Sequence, residues 1–265
     1  MAGDLEFLGL EAAGEGRWTF PLGPAMTRID GRLYGGAAFA ASVAAAEAAT
    51  DRPALWTTVQ FVAAATAGEV VELRVEELAR GRRVSQVRVE GSIGDRMIFG
   101  ALGACGDAKT DGFAGQFEAM PTYLPPDECP PWMPKADVPS HMQRTEGYQS
   151  VCEFRYGERA EAKLPGGRIA LWARMIDRPA TPALLGFLAD MVPVAVARAG
   201  GRFGAGTSLD NTLRFGPRVE ADWVLVDLVP HLAHGHYGHG TVHLWSATGT
   251  LLATGSQTSS MLLFD

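Results

Sequence analysis

The chain has 265 residues, enough to bury a core that needs neither metal nor disulfide support. Its apolar share is 47%, its charged share 20% and its net charge −7, the balance of a soluble globular protein with no basic arm for nucleic acid. Cys105, Cys129 and Cys152 are odd in number and widely spaced, which argues against a disulfide framework or zinc site and fits a reducing compartment.

The first 18 residues have no basic start and no apolar run, so no signal peptide is expected and a cytoplasmic protein is. Residues 5–21 read as a lead-in strand, with Trp18 and Phe20 on one face. Gly35 and Gly36 then precede an alanine-rich run, 37–49, of strong helix propensity. Glycines at a helix start leave free amides that suit an oxyanion, which makes Gly36 a candidate donor. A plain tight turn is the other meaning of the pair.

Four strand-like segments follow, at 55–62, 69–78, 83–93 and 96–105. In the second, Val71, Leu73 and Val75 alternate with Glu72, Arg74 and Glu76. Short turns at 79–82 and 94–95 join them as hairpins. A helix followed by a four-stranded antiparallel meander is one α+β unit.

Residues 107–149 hold seven of the 16 prolines and show no period, which marks a linker on the surface or packed against it. Strand character returns at 148–159 and 167–176. Residues 181–199 are apolar almost all round, with Asp190 in the middle. Thr181 and Pro182 are a start signal and Gly200-Gly201 a stop. The length is near that of a bilayer span, but Asp190, Pro193 and Arg198 argue for a core helix instead. Pro193 lacks the amide that would bond the carbonyl of Ala189, so a kink is expected beside Asp190. Four more strand-like segments close the chain, at 208–215, 223–230, 240–246 and 251–264.

The two halves share this order. VRVEGSIGDRMIFGALGA from Val87 lies on VHLWSATGTLLATGSQTS from Val242, TTVQF on NTLRF, and GGAAFAAS on LLGFLAD. A repeat of about 80 residues predicts two like domains packed as a pseudo-dimer, with bounds at 1–106, 107–147 for the linker, and 148–265. The alignment puts Ser42 opposite Asp190, Leu102 opposite Gln257 and the Ala54 region opposite Ser208. The polar set thus occurs in the second half alone. A carboxylate, a hydroxyl and an amide within reach can hold and polarise one water. They can equally satisfy one another as a buried network, and spacing leaves both readings open.

The motifs GGAAFAAS after Tyr34, GRRVSQVRVEGSIGDRMIF, LGFLAD, GTSLDNTLRF and ATGSQTSS, in this order, resemble the double hot-dog acyl-CoA thioesterases of the TesB, or thioesterase II, type. The likeness covers nearly everything outside the linker. It implies an α+β double hot-dog, two repeats of a helix wrapped by an antiparallel sheet. It also implies hydrolysis of an acyl-CoA or related acyl thioester by a water held between Asp190, Ser208 and Gln257. Ser208 stands where the family has Thr, and the hydroxyl is kept. No cofactor and no metal is implied, and no nucleic-acid or membrane partner is expected.

Phe39, Trp56, Phe61 and Met191 are candidates for an acyl tunnel, with plain core as their other meaning. Arg82 and Arg83, clustered with Arg80 at a turn, are candidates for the phosphates of coenzyme A, a solvated turn being the alternative. Monomer, dimer and higher homo-oligomers all remain open. A cluster from His231 to His243 invites a metal reading. Interleaved glycines, and the lack of a nearby cysteine or matching carboxylate, favour a polar strand and turn near a pocket mouth. No GxSxG elbow, Walker A loop or post-strand GxGxxG is present. Two other functions stay in view: a non-catalytic acyl- or lipid-binding protein, and an enoyl-CoA hydratase or dehydratase, which wants a His partner that the helix lacks.

Overall fold

The computed structural model describes residues 2–109, 111–133, 138–158 and 167–264. The chain enters on a short helix, α1 (Ala2–Leu8), and a hairpin, β1 (Glu11–Gly14) and β2 (Arg17–Pro21). The stretch expected as one strand is therefore a helix end and two strands. Gly9, Gly14 and Gly16 take positive φ there and turn the chain. Helix α2 (Gly35–Thr50) and strands β3 (Ala54–Phe61), β4 (Val70–Arg80), β5 (Val84–Ile93) and β6 (Arg96–Gly106) complete the first half. The second half has β7 (Cys152–Tyr156), β8 (Ile169–Met175), helices α3 (Pro182–Ala189) and α4 (Val192–Ala199), then β9 (Gly204–Phe215), β10 (Val224–His234), β11 (Tyr237–Ser246) and β12 (Leu251–Leu263). Arg159, the expected end of a strand, lies outside the described residues.

The strands form one twelve-stranded sheet in the order β1-β2-β4-β5-β6-β3-β9-β12-β11-β10-β8-β7. Its middle is the antiparallel pair β3–β9, which joins the halves. Thr58 pairs there with Thr212, its own repeat counterpart, so a local twofold axis passes between them, and the two hydroxyls hydrogen-bond. The register corrects one detail of the repeat. Asn211 pairs with Gln257, while its counterpart Thr57 pairs with Gly103. Gln257 therefore answers to Gly103, not to Leu102. Exposure agrees: Leu102 is 51% exposed on the convex face and Gln257 1% on the concave one.

The helices fill the concave face. The alanines of α2 are buried almost throughout, which lets the helix lie close to the sheet and to α3. Gly186 has no room for a side chain, because the ring of Phe39 occupies the place of a Cβ. The expected kink in 181–199 is a full break. Asp190 and Met191 leave helical geometry (ψ 54° and −1°), and α4 restarts with Pro193 in its first turn. By length and composition residues 182–199 suit a membrane span, but the break divides them and most of their surface is buried.

The linker packs on both faces. Met120, Tyr123, Leu124 and Cys129 cover Trp172, Leu225 and Trp245 on the convex side, and Trp172 Nε1 donates to the Leu124 carbonyl at 2.9 Å. The chain then passes the β7 edge, with Pro131 bridging to Arg155, and sends Trp132 and Tyr148 into the concave core.

The histidines sit on the β10–β11 hairpin. His236 takes the turn at φ 69°, so it does not share a strand face with His234. His231 Nε2 and Thr241 Oγ1 are 3.0 Å apart, and the His231 and His239 rings 5.7 Å. Among the described residues, no group of three His, Cys, Asp or Glu is placed to hold a metal.

Candidate active site

Asp190 sits at the gap between α3 and α4, where the missing helical bonds free its backbone to swing the carboxylate toward β9, β12 and the start of α2. Its Oδ1 accepts from Ser208 Oγ at 3.1 Å and from Gln257 Nε2. Its Oδ2 accepts from the Gly36 amide at 2.9 Å, a free donor of the first turn of α2. Gln257 Nε2 also donates to Ser208 Oγ at 2.8 Å, and Gln257 Oε1 accepts from the Val192 amide at 3.2 Å. The three residues named from the repeat thus meet, across three elements.

Burial raises the Asp190 pKa to about 6, against the lowering pull of Ser208, Gln257, the Gly36 amide and, last, the charge of Arg28. The result is a carboxylate poised just below neutrality, the range that suits a general base.

Asp190 opens onto a cavity of about 280 Å³. Tyr34, Phe61, Trp132, Tyr148, Met191 and Phe203 give it apolar and aromatic walls. Tyr34 stacks on Tyr148 at 4.0 Å between centroids, and its hydroxyl donates to the Phe187 carbonyl at 2.9 Å. Burial drives both tyrosine pKa values above the ordinary range. At the rim, Arg28 pairs with Asp30 at 2.8 Å and donates to the Gly206 carbonyl at 3.0 Å. Arg32 also lines the cavity and is exposed.

Of the tunnel candidates, Phe61 and Met191 line this cavity. Phe39 does not: it is fully buried between α2 and α3 against Gly186. Trp56 does not either. It opposes Arg214 on the convex face, while its neighbours Thr57 and Val59 turn inward. Arg82 and Arg83 lie on the exposed β4–β5 turn and are not among the residues that line the cavity. Gly36 reaches the site, but its amide is spent on Asp190 and is not an open oxyanion donor. Gly35 lines the cavity, and a Cβ on it would stand 2.6 Å from Asp190 Oδ2, so only glycine fits. None of the clustered histidines lines the cavity.

The sequence reading missed Tyr34, Trp132, Tyr148 and Arg28. Tyr34 directly precedes the glycine pair, which was a usable signal. Trp132 belongs to the linker, which carries no period to place it, and Tyr148 was expected to open a strand but lies in a helical turn just before β7.

A family model of the acyl-CoA thioesterase N-terminal domain matches residues 23–105, and one of the acyl-CoA thioesterase C-terminal domain matches residues 126–261. Among solved structures, the chain is similar to a thioesterase-family protein of Novosphingobium aromaticivorans, with 31% identity, a TM-score of 0.83, and 97% of this chain and 98% of that one covered. It is also similar to the TesB protein of Mycobacterium avium subspecies paratuberculosis (22% identity, TM-score 0.77, 100% and 99% covered). A third is the acyl-CoA thioesterase II TesB2 of Mycobacterium marinum (22%, 0.76, 98% of each chain). A search of curated proteins found no match. With the two models spanning most of its length and a 31% identical structure covering nearly all of it, the chain belongs to the acyl-CoA thioesterase family, as a thioesterase of double hot-dog fold.

Proposed function

We propose that the chain hydrolyses an acyl-CoA, or a related acyl thioester, by direct attack of a water held on Asp190. The observation that carries this reading is the arrangement around one carboxylate. Three donors keep Asp190 ionised at neutral pH, although it is enclosed by protein and faces an apolar cavity. Ser208 and Gln257 leave Asp190 Oδ2 with a free lone pair to take the proton of the water. The water oxygen attacks the thioester carbonyl, and its proton passes to Asp190. The oxyanion that forms is met by the Gly35 amide at the start of α2. Collapse breaks the carbon–sulfur bond, the proton returns to sulfur, and a carboxylic acid and a thiol leave. No residue is acylated and no further reagent is consumed.

The hydratase reading needs a histidine beside the carboxylate, and no described residue lining the cavity is one. The test is thiol release from short, medium, branched and aromatic acyl-CoAs, with Asp190→Asn beside the wild type. Equal rates in both would sink the mechanism. Binding of fatty acid with no thioester cleaved by the wild type would favour the binding reading.

A further inference from the structure

Two buried polar side chains next to the site have no hydrogen-bond partner among the described residues. Asn211 on β9 is fully buried, and neither Oδ1 nor Nδ2 of its amide is bonded. Ser259 on β12 is 1% exposed, with an unpartnered Oγ. The strand register sets Asn211 opposite Gln257 and Ser259 opposite Ser208. A register shift leaves Leu209 as an extra residue on β9, which keeps Ser208 and Asn211 on the concave side together. Four polar side chains therefore share one patch, with opposed Cβ atoms about 5 Å apart. Two of them hold Asp190 and two hold nothing.

The other neighbours of Asn211 on that face, Val59 and Leu213, are fully buried and apolar. Gln257 is the polar one. Both of its Nε2 hydrogens are used, on Asp190 and Ser208, while Oε1 takes one N–H from Val192 and has a second lone pair open. Buried amides in native proteins find protein or ordered water. The first half lacks this pair altogether, with Thr57 and Gly103 at the matching places. The unpartnered amide thus accompanies the half that carries the site.

We propose that Asn211 is a positioning residue for the hydrolysis: with Ser259 it holds a buried water against the open lone pair of Gln257 Oε1, locking the Gln257 amide behind Asp190. This rests on the reading of Asp190, Ser208 and Gln257 as the catalytic set.

Asn211→Leu keeps the side chain's size and removes both polar atoms. It is expected to lower kcat about tenfold with KM unchanged, as small displacements of catalytic groups do. Ser259→Ala is expected to lose less, and Asn211→Ser, which leaves a hydroxyl and room for more water, to recover part of the loss. In a Gln257→Ala background, Asn211→Leu is expected to have no further effect. A wild-type crystal structure that resolves ordered water is expected to show one bonded to Asn211 and to Gln257 Oε1. Full kcat in Asn211→Leu, the same loss in both backgrounds, or a dry Asn211 amide would each overturn the proposal. If Asn211→Leu does not fold, the crystallographic water and the Ser259→Ala kinetics decide. Full activity in Gln257→Ala would instead sink the catalytic reading, whereas full activity in Asn211→Leu beside an inactive Gln257→Ala sinks only this inference.

Discussion

The Val192 amide donates to Gln257 Oε1, which turns the oxygen of the Gln257 amide toward α4. With the oxygen claimed by the first turn of α4, the nitrogen must face Asp190 and Ser208. The break in the helix therefore does two things. It releases the Asp190 carboxylate, and it exposes the amide that orients its partner.

Gln257→Glu reverses that logic. An oxygen replaces the nitrogen beside Asp190 Oδ1, so two carboxylates share one buried place and one of them stays protonated. Hydrolysis is expected to fall by about a hundredfold or more, with the acid limb of the rate profile moving to higher pH. Kinetics of thiol release from pH 5 to 9 check this; an unmoved limb with normal kcat would be contrary evidence.

Ser208 supplies a hydroxyl and nothing else to the network. Ser208→Thr is expected to retain activity within a few-fold. Ser208→Ala removes a donor to the carboxylate and is expected to cost about ten- to a hundredfold in kcat, with the Asp190 pKa rising further. Equal losses in both variants would mean that the space around Ser208, not its hydroxyl, is what matters.

Much of this arrangement was legible before the structure. The hydrophobic alternation placed the strands, alanine propensity and capping signals placed the two helices, and the asymmetry between the halves together with the family resemblance pointed to Asp190, Ser208 and Gln257. What failed was decided by face and by distance. Trp56 has the composition of a pocket residue, but strand parity turns it to the convex side. Leu102 was one residue out, which in a strand is the opposite face. Gly36 was correctly placed at a helix start, yet a carboxylate 154 residues later takes its amide. Trp132 was beyond reach because its linker is positioned by tertiary packing and not by a periodic pattern, and Tyr148 was read as strand where the chain makes a helical turn.

Gly35 tests the tightness of the site. A Cβ there would lie 2.6 Å from Asp190 Oδ2 and 3.1 Å from the Phe61 ring. Gly35→Ala is expected to push the carboxylate off its donors and lower kcat by about a hundredfold. Gly23→Ala is the control, since nothing lies within 4 Å of its Cβ and its φ of −68° suits any residue. That variant is expected to keep full activity and a stability within about 0.5 kcal/mol of wild type. A similar loss of activity in both would point to general sensitivity of the fold.

The raised pKa of Asp190 makes a stability prediction whose sign is opposite to that of an ordinary paired carboxylate. The fold holds the neutral acid better than the anion, so the group favours folding fully below the unfolded value of 3.8 and loses that contribution as pH rises through about 6. A shift of about two units corresponds to about 3 kcal/mol between the two limits. Hydrolysis runs the other way: kcat/KM is expected to fall about tenfold per pH unit below about 6 and to level off above 7. Asp190→Asn removes the titration, though its own amide hydrogens would face the Gly36 N–H, so its absolute stability carries that added clash. The difference in unfolding free energy between wild type and Asp190→Asn cancels groups common to both, including the buried Asp4 and Glu47. That difference is expected to move in favour of the wild type as pH drops from 8 to 4.5, over the same range in which its activity disappears. Denaturant unfolding of both proteins at each pH measures it, and a difference that stays flat would mean that Asp190 is not carrying the cost assigned to it.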